Sequence, residues 1–411
     1  MISELSQPKN MKHIVIVTDS FGFPNGMAST HRIKLIAKAL IDHGNFVNVM
    51  CVRALERAEH LENTKTHGTY HGINFEYTPG TTIRSQKFWV RRFIDIKGIY
   101  RAINKLIIYK KRGELSCIYY YGTMLSRTLN RWIFYLLSTL LRVPLVIELC
   151  ERPWMLERRS LSDRYFHPLI SVDGVIVISS YLKAWMMSET SKRGKKIKFL
   201  ELPILVDVEE QHVSALTSDK SSVYVLFAGS SNYSKTVEFI LDSMAIVWKK
   251  YPECKLMLTG YRTGTEATNC LHDQLEQQKI SAKVSVVEYL PRAYLLNLYK
   301  DATALLIPLF DDIRSKARFP TKIGEYLCSG IPIVTNNVGE IPRYFTDEIN
   351  AYICEPEIPE LYAQKIMDVI EPRNNDLAFK VGNNGRSLAE KCFDYRNYGD
   401  SLEDFFSSIC N

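Results

Sequence analysis

Short continuous apolar runs alternate with amphipathic stretches along the whole chain. The run IVIVT (14–18) is β-branched and unbroken, the pattern of a strand buried on both faces. A turn containing Gly22, Pro24 and Gly26 follows, and then Ile33, Ile36, Ala37, Leu40 and Ile41 recur at helical spacing, with Gly44 where a helix would stop. FVNVMCV (46–52) is again strand-like. Strand, helix and strand within about forty residues make a βαβ unit, which requires a parallel sheet. Further strands are predicted at CIYYY (117–121), LVIEL (145–149), GVIVIS (174–179) and KFLEL (198–202), with helical stretches between them. The first half is therefore expected to be doubly wound α/β.

Residues 206–222 are polar and aperiodic, and are expected to form a linker. The pattern then restarts. YVLFAG (224–229) precedes a helix carrying Val237, Ile240, Leu241, Met244, Val247 and Trp248 on one face, and strands follow at KLMLTG (255–260), VSVVEY (284–289), ALLIP (304–308) and IPIVT (331–335). The two halves share an element order without sharing sequence. Two such domains in one chain would place a ligand outside the carboxyl ends of their strands, in a cleft between them.

The 411 residues suit two domains of ordinary size, and 46% hydrophobic with 24% charged residues is a globular composition that argues against disorder. Nine cysteines form no CxxC pair and no metal-like spacing, so they are read as reduced thiols. The polar start and the short first apolar run lack a signal-peptide pattern, and a cytoplasmic location is expected. The greasiest stretch, 132–149, is broken by Arg142 and Pro144 and reads as a buried helix followed by a strand; no transmembrane segment is expected. The net charge of +7 suits any anionic partner, so its distribution matters more.

Candidate chemistry concentrates in residues 317–342. Pro320 and Thr321 mark a helix start, and Lys322 and Glu325 fall on one face of that helix. A helix N-terminus attracts phosphate, and Arg314, Lys316, Arg318 and Lys322 crowd around it. Glu325 could accept two hydrogen bonds from vicinal ribose hydroxyls. The plainer reading is an exposed Lys/Glu pair worth a few tenths of a kcal/mol. A second stretch, 224–239, ends a strand at Gly229 and reaches Lys235 through a Ser/Asn-rich loop. That is built like an anion site, though it also fits an ordinary βα turn. Neither a Walker loop nor GxGxxG is present, which argues against a nicotinamide enzyme.

In order along the chain, the Gly26 loop, the Gly229–Lys235 loop, the segment around Pro320 to Pro332 and the terminal stretch FDYRNYGDSLEDFF (393–406) resemble the retaining GT-B glycosyltransferases, the large family that includes sucrose-phosphate synthases and bacterial polysaccharide transferases. The resemblance implies an N-terminal Rossmann-like acceptor domain (1–205), a C-terminal Rossmann-like donor domain (206–392) and a final helix (393–411) that crosses back to the first. It implies transfer of a sugar, with retention, from a nucleoside-diphosphate sugar to a glycan or lipid-linked hydroxyl in cell-surface polysaccharide synthesis. Donor-binding roles fall on Gly26, Gly229, Ser230, Lys235, Gly260, Tyr289, Pro320, Thr321, Lys322 and Glu325; catalytic roles fall on Glu151, Lys235 and Arg318. Two positions depart from the family: Ala317 stands where a first glutamate is usual, and Ser230 where an arginine is usual, so Arg318 or Arg262 is expected to supply the missing charge. Glu151, just past the strand at 145–149, is also readable as a helix-capping acid. The departing diphosphate would help deprotonate the acceptor. No Asp-x-Asp occurs, so no cofactor and no metal is expected.

Residues 84–112 hold ten Lys/Arg and one acid, Asp95, with Trp89, Phe93, Ile96, Tyr100, Ile103 and Ile107 at helical spacing. Two readings are open: a helix packing this stripe on the core with a solvated basic face, or a peripheral contact with anionic membrane. The alternatives for the whole chain are a sugar-nucleotide epimerase of the same shape and a catalytically lapsed GT-B scaffold. Nucleic acid is not an expected partner, because the basic stretch carries no recognition motif.

Overall fold

A computed structural model describes residues 11–59, 61–122, 128–151, 172–191, 196–210, 223–229, 233–262, 264–288 and 290–410. The chain forms two compact units: Met1–Pro203 with Tyr395–Asn411, and Ile204–Asp394.

The first unit is built on eight strands: β1 (His13–Thr18), β2 (Phe46–Cys51), β3 (His67–Tyr70), β4 (Ile73–Tyr77), β5 (Cys117–Tyr121), β6 (Leu145–Leu149), β7 (Gly174–Val177) and β8 (Lys198–Glu201). Their order is β3-β4-β2-β1-β5-β6-β7-β8, and only the β3/β4 pair is antiparallel. The continuous apolar run of β1 sits mid-sheet with Ile14 to Val17 fully buried, as a strand covered on both faces must. Helices α1 (Ala28–Asp42), α2 (Phe88–Lys111), α3 (Thr128–Leu141) and α4 (Ser180–Ser191) flank it. The predicted face of α1 is the buried one: Ile33, Ile36, Ala37 and Leu40 are inaccessible.

Helix α2 corrects the reading of a stripe packed on the core. Its buried residues are Asp95, Gly98, Ala102 and Leu106. Trp89, Phe93, Ile96 and Tyr100 are 80%, 69%, 66% and 63% exposed. The cause is close approach on the other face. A Cβ on Gly98 would lie 2.3 Å from the Val52 carbonyl oxygen and 2.8 Å from Pro79, so the helix comes too close to the body there for a large side chain. Large apolar residues are left on the outside.

The second unit contains β9 (Tyr224–Ala228), β10 (Lys255–Tyr261), β11 (Val284–Glu288), β12 (Ala304–Ile307), β13 (Ile333–Asn336) and β14 (Tyr352–Cys354), all parallel in the order β11-β10-β9-β12-β13-β14. This is the doubly wound arrangement, whose strand order reverses beside its first strand. The helices are α5 (Ser234–Lys250), α6 (Glu266–Gln277), α7 (Arg292–Asp301), α8 (Ile313–Ala317), α9 (Lys322–Cys328), α10 (Ile341–Tyr344), α11 (Pro359–Ile370) and α12 (Asn375–Cys392). The predicted apolar face of α5 enters the core with Leu256, Leu258 and Leu306. Gly330, at φ +74°, follows α9 in the left-handed conformation that ends helices.

The stretch expected to be a linker starts later than its polar composition suggested. Ile204, Leu205 and Val206 are buried, and Val206 N–H donates to the Phe393 carbonyl at 2.9 Å. Residues 211–222 lie outside the described residues. From Tyr395 the chain returns to the first unit, where the terminal helix α13 (Gly399–Cys410) packs on α1 and β8 and buries Leu402, Phe405 and Phe406. Gly174 marks how close it comes: a Cβ there would meet Ile409 at 2.4 Å.

Candidate functional site

In the second unit the short helix α9 is fastened to the end of β9 through one peptide. Lys322 and Tyr326, one turn apart, both reach Ala228: Lys322 Nζ donates to its carbonyl oxygen, and its N–H donates to Tyr326 Oη at 2.9 Å. Lys322 is half-buried and forms no ion pair with any described residue. Burial lowers the pKa of its ammonium to about 8, against the partial opposing pull of Glu325. A cation out of water with a neutral carbonyl as its partner is poised to receive an anion. Tyr233, in the turn before α5, stands beside it: Lys322 Nζ lies 6.0 Å and the Arg314 guanidinium 5.9 Å from its ring centre.

Glu325 does not pair with Lys322. Arg292, the first residue of α7, donates from Nη1 to Glu325 Oε1 at 2.8 Å and from Nε and Nη2 to both carboxylate oxygens of Glu210 at 2.7 and 2.9 Å. Burial works against the Arg292 charge, and the two carboxylates more than restore it. The exposed Lys/Glu pair is thus excluded, since each residue is held by another element. Arg292, Glu210, Tyr233 and Tyr326 escaped the sequence reading. Arg292 carried a faint signal, a basic residue directly after Pro291 at a helix start, whereas Glu210 lay in the stretch taken for linker.

Two local expectations change. Two donors of the first turn of α9 are in use, because Ile323 N–H and Gly324 N–H donate to the Pro320 and Thr321 carbonyls at 3.0 and 3.2 Å. The Lys322 side chain supplies the full positive charge at this helix start. Gly229 donates its N–H to the Thr259 carbonyl at 3.0 Å, and a Cβ on it would strike the Phe227 ring at 2.3 Å. The glycine is required by packing inside the unit. Gly260, on β10 beside it, has φ +96° at a register shift between Thr259 and Tyr261.

Lys235 lies in the first turn of α5 and is exposed, with its Nζ 3.2 Å from Glu357 Oε1 and 4.1 Å from the centre of the Phe310 ring. Arg318 is half-buried directly after α8, two residues before Pro320. Arg262, directly after β10, accepts with its carbonyl from Thr265 and Thr268, so its backbone caps the start of α6. Ala317 is fully buried. Ser230 and Tyr289 lie outside the described residues.

The other candidates belong to the first unit. Gly26 follows β1, where a Cβ would sit 2.3 Å from Thr30 Oγ1, which donates to the Gly22 carbonyl at 2.8 Å. Glu151 is exposed, two residues past β6. Glu148, two residues before Cys150, is buried instead: Arg32 Nε and Tyr119 Oη donate to its two oxygens, and Arg32 also donates to the Leu202 and Pro203 carbonyls. Burial opposes the Arg32 charge, but Glu148 keeps it protonated. Asp19, fully buried just past β1, accepts from Tyr120 Oη at 3.0 Å and Asn130 Nδ2 at 2.8 Å. Among the described residues no group of three His, Cys, Asp or Glu side chains is placed to hold a metal ion.

Residues 208–388, almost the whole second unit, match the model of the glycosyl transferases group 1 family. The second unit is a group 1 glycosyltransferase domain. Over the full chain the fold is GT-B, as in three solved structures. Sucrose-phosphate synthase from Thermosynechococcus elongatus is 13% identical with a TM-score of 0.71, over 97% of this chain and 99% of that one. HepE of Anabaena in complex with UDP-glucose is 15% identical with a TM-score of 0.67, over 96% and 100%. A glycosyltransferase from Rickettsia africae is 15% identical with a TM-score of 0.67, over 97% and 99%. A comparison with curated proteins by sequence gives no match. The Lys322–Ala228–Tyr326 clamp and the Arg292–Glu325 pair both lie inside the matched region. No described helix is long and apolar enough to cross a membrane.

Proposed function

We propose that the chain transfers a sugar from a nucleoside-diphosphate sugar to a hydroxyl of a glycan or lipid-linked acceptor, with retention and without a metal ion, in the synthesis of a cell-surface polysaccharide. The observation that carries the donor reading is Lys322: in a group 1 glycosyltransferase domain, a desolvated ammonium at the end of the first strand has a carbonyl, and no carboxylate among the described residues, as its partner. A diphosphate supplies the missing counter-charge. Lys235 anchors it from the helix start, with Arg318 beside the Pro320–Thr321 turn. Glu325, oriented by Arg292, accepts from the ribose hydroxyls. Uridine diphosphate is the first nucleotide to test, since HepE of Anabaena was solved with UDP-glucose.

In the transfer, the bond from the anomeric carbon to the diphosphate oxygen breaks, and a bond to the acceptor oxygen forms on the same face. The acceptor proton passes to the departing diphosphate, whose growing charge the lysines stabilise. Glu151 orients the acceptor hydroxyl. Titration calorimetry with uridine, guanosine and adenosine diphosphates, followed by an assay of diphosphate release from the matching nucleotide sugars, tests this. Binding of one base with slow release that an acceptor accelerates is expected, undiminished by chelator. A protein that binds none of them has another function. Binding without release assigns a scaffold.

A further inference from the structure

The outward face of α2 is unused by any of the chemistry above. From its geometry we infer that this face docks the protein on an anionic lipid surface. Trp89, Phe93, Ile96 and Tyr100 form one stripe down the helix, each more than three-fifths exposed, while the helix is seated on the unit by Asp95, Gly98, Ala102 and Leu106. Isolated exposed apolar residues need no explanation, but four large ones in register on one helix do. Helix α3, packed beside α2, adds Leu136 and Leu140 at 55% and 80% exposure.

The charge around the stripe selects the partner. At the helical advance of about 100° per residue, Arg92 and Lys110 flank one side of the stripe and Lys97 and Arg101 the other. The one acid of the segment, Asp95, is buried in a bidentate pair with Arg53 at 2.9 and 2.9 Å, and it also reaches the rim cation Arg92 at 4.0 Å. Arg91 and Arg92 stack on the Phe88 ring at 5.6 and 5.1 Å, keeping cations beside the aromatic end. Aromatic and aliphatic side chains for the acyl boundary, rimmed by cations for the headgroups, make an interfacial helix; a protein partner would not require so one-sided a rim.

The inference stands apart from the donor chemistry, so its test uses binding alone. The full chain is sedimented with phosphatidylcholine vesicles containing or lacking phosphatidylglycerol, at low and at physiological salt, where screening acts over about 8 Å. Binding only to the anionic vesicles, weakened by salt, is expected. The triple variant Trp89→Ser, Phe93→Ser, Tyr100→Ser and the double variant Arg92→Glu, Lys97→Glu each lower the bound fraction about tenfold or more. Phe379→Ser, at a 71% exposed position on α12, leaves it unchanged. All substituted positions lie outside the core, and circular dichroism confirms that the variants are folded. Absence of binding at low salt, or variants that bind like the parent, overturns the inference. So does a dimer in sedimentation velocity that the triple variant abolishes, because the face would then be covered by a second copy.

Discussion

Each unit withdraws a basic group from water near the carboxyl end of its sheet, and the two are treated in opposite ways. In the first unit Arg32 is enclosed by a carboxylate and two carbonyls, and both oxygens of Glu148 are taken by Arg32 and Tyr119. The Arg32 charge is compensated inside the unit. In the second unit Lys322 meets the Ala228 carbonyl and no carboxylate among the described residues, and its pKa falls to about 8. A saturated buried charge holds a fold in one arrangement; an under-compensated one stores an affinity for whatever brings the missing charge.

The comparison breaks first at Arg32. Arg32→Met strands Glu148 without its cation, and removing one partner of a buried pair costs about 3–5 kcal/mol. A lower urea midpoint for the first unit is expected, with nucleoside diphosphate affinity in the second unchanged. Lys322→Met should do the reverse. It lowers affinity for the diphosphate by roughly 1.5–3 kcal/mol, about tenfold to over a hundredfold, and leaves the urea midpoint at neutral pH unchanged or raised. The pH dependence gives the sign. Between pH 8 and 10.5 the unfolded lysine keeps a proton that the folded one releases, so the parent gains stability relative to the Met variant as pH rises through that window, and the cost of the buried cation is fully present below it. Diphosphate binding pulls the pKa back up, so above pH 8 it takes up a proton, measurable by calorimetry in two buffers. A parent without this uptake, or a variant that keeps it, removes Lys322 from the site.

Both sheets were legible in the sequence because strands covered on both faces read as unbroken apolar runs, and α1 and α5 because their apolar periodicity matches their buried faces. Helix α2 shows where periodicity fails. It reports that apolar residues share a face but not which way that face points, and here Gly98 and Ala102, small residues without pattern weight, decided it. The site was half legible. Lys322 and Glu325 could be placed on one helix, but their partners Ala228 and Arg292 come from β9 and α7, and such long-range pairing leaves no local trace. Ser230 and Tyr289 fall outside the described residues, so of the loop after β9 the structure describes Gly229 and Tyr233.

A finer break uses Glu325. Glu325→Gln keeps the side chain's size, and Glu210 still holds Arg292, so the fold should stand. A carboxylate lost from the ribose matters only when both hydroxyls are present. The expected loss is about 1.5 kcal/mol for the ribonucleotide and close to none for its 2′-deoxy analogue. Equal losses would reassign Glu325 to orienting Arg292 alone.

The smallest effect is expected at Lys235, and it sharpens the contrast between an exposed and a desolvated cation. Its side chain is 69% exposed and its partner Glu357 is 50% exposed, so the resting pair is worth well under 1 kcal/mol, and Lys235→Ala should leave the urea midpoint in place. Approach of a diphosphate turns Lys235 from Glu357 to a stronger counter-charge, but water still screens that contact. The loss of affinity is therefore about 1 kcal/mol, roughly fivefold, less than at Lys322. Salt separates the two: Lys235→Ala flattens the dependence of affinity on ionic strength, whereas the desolvated Lys322 ammonium contributes little to that slope. A Lys235→Ala loss as large as that of Lys322→Met, or one unaffected by salt, would mean that the bound nucleotide covers the start of α5 and excludes water from both lysines.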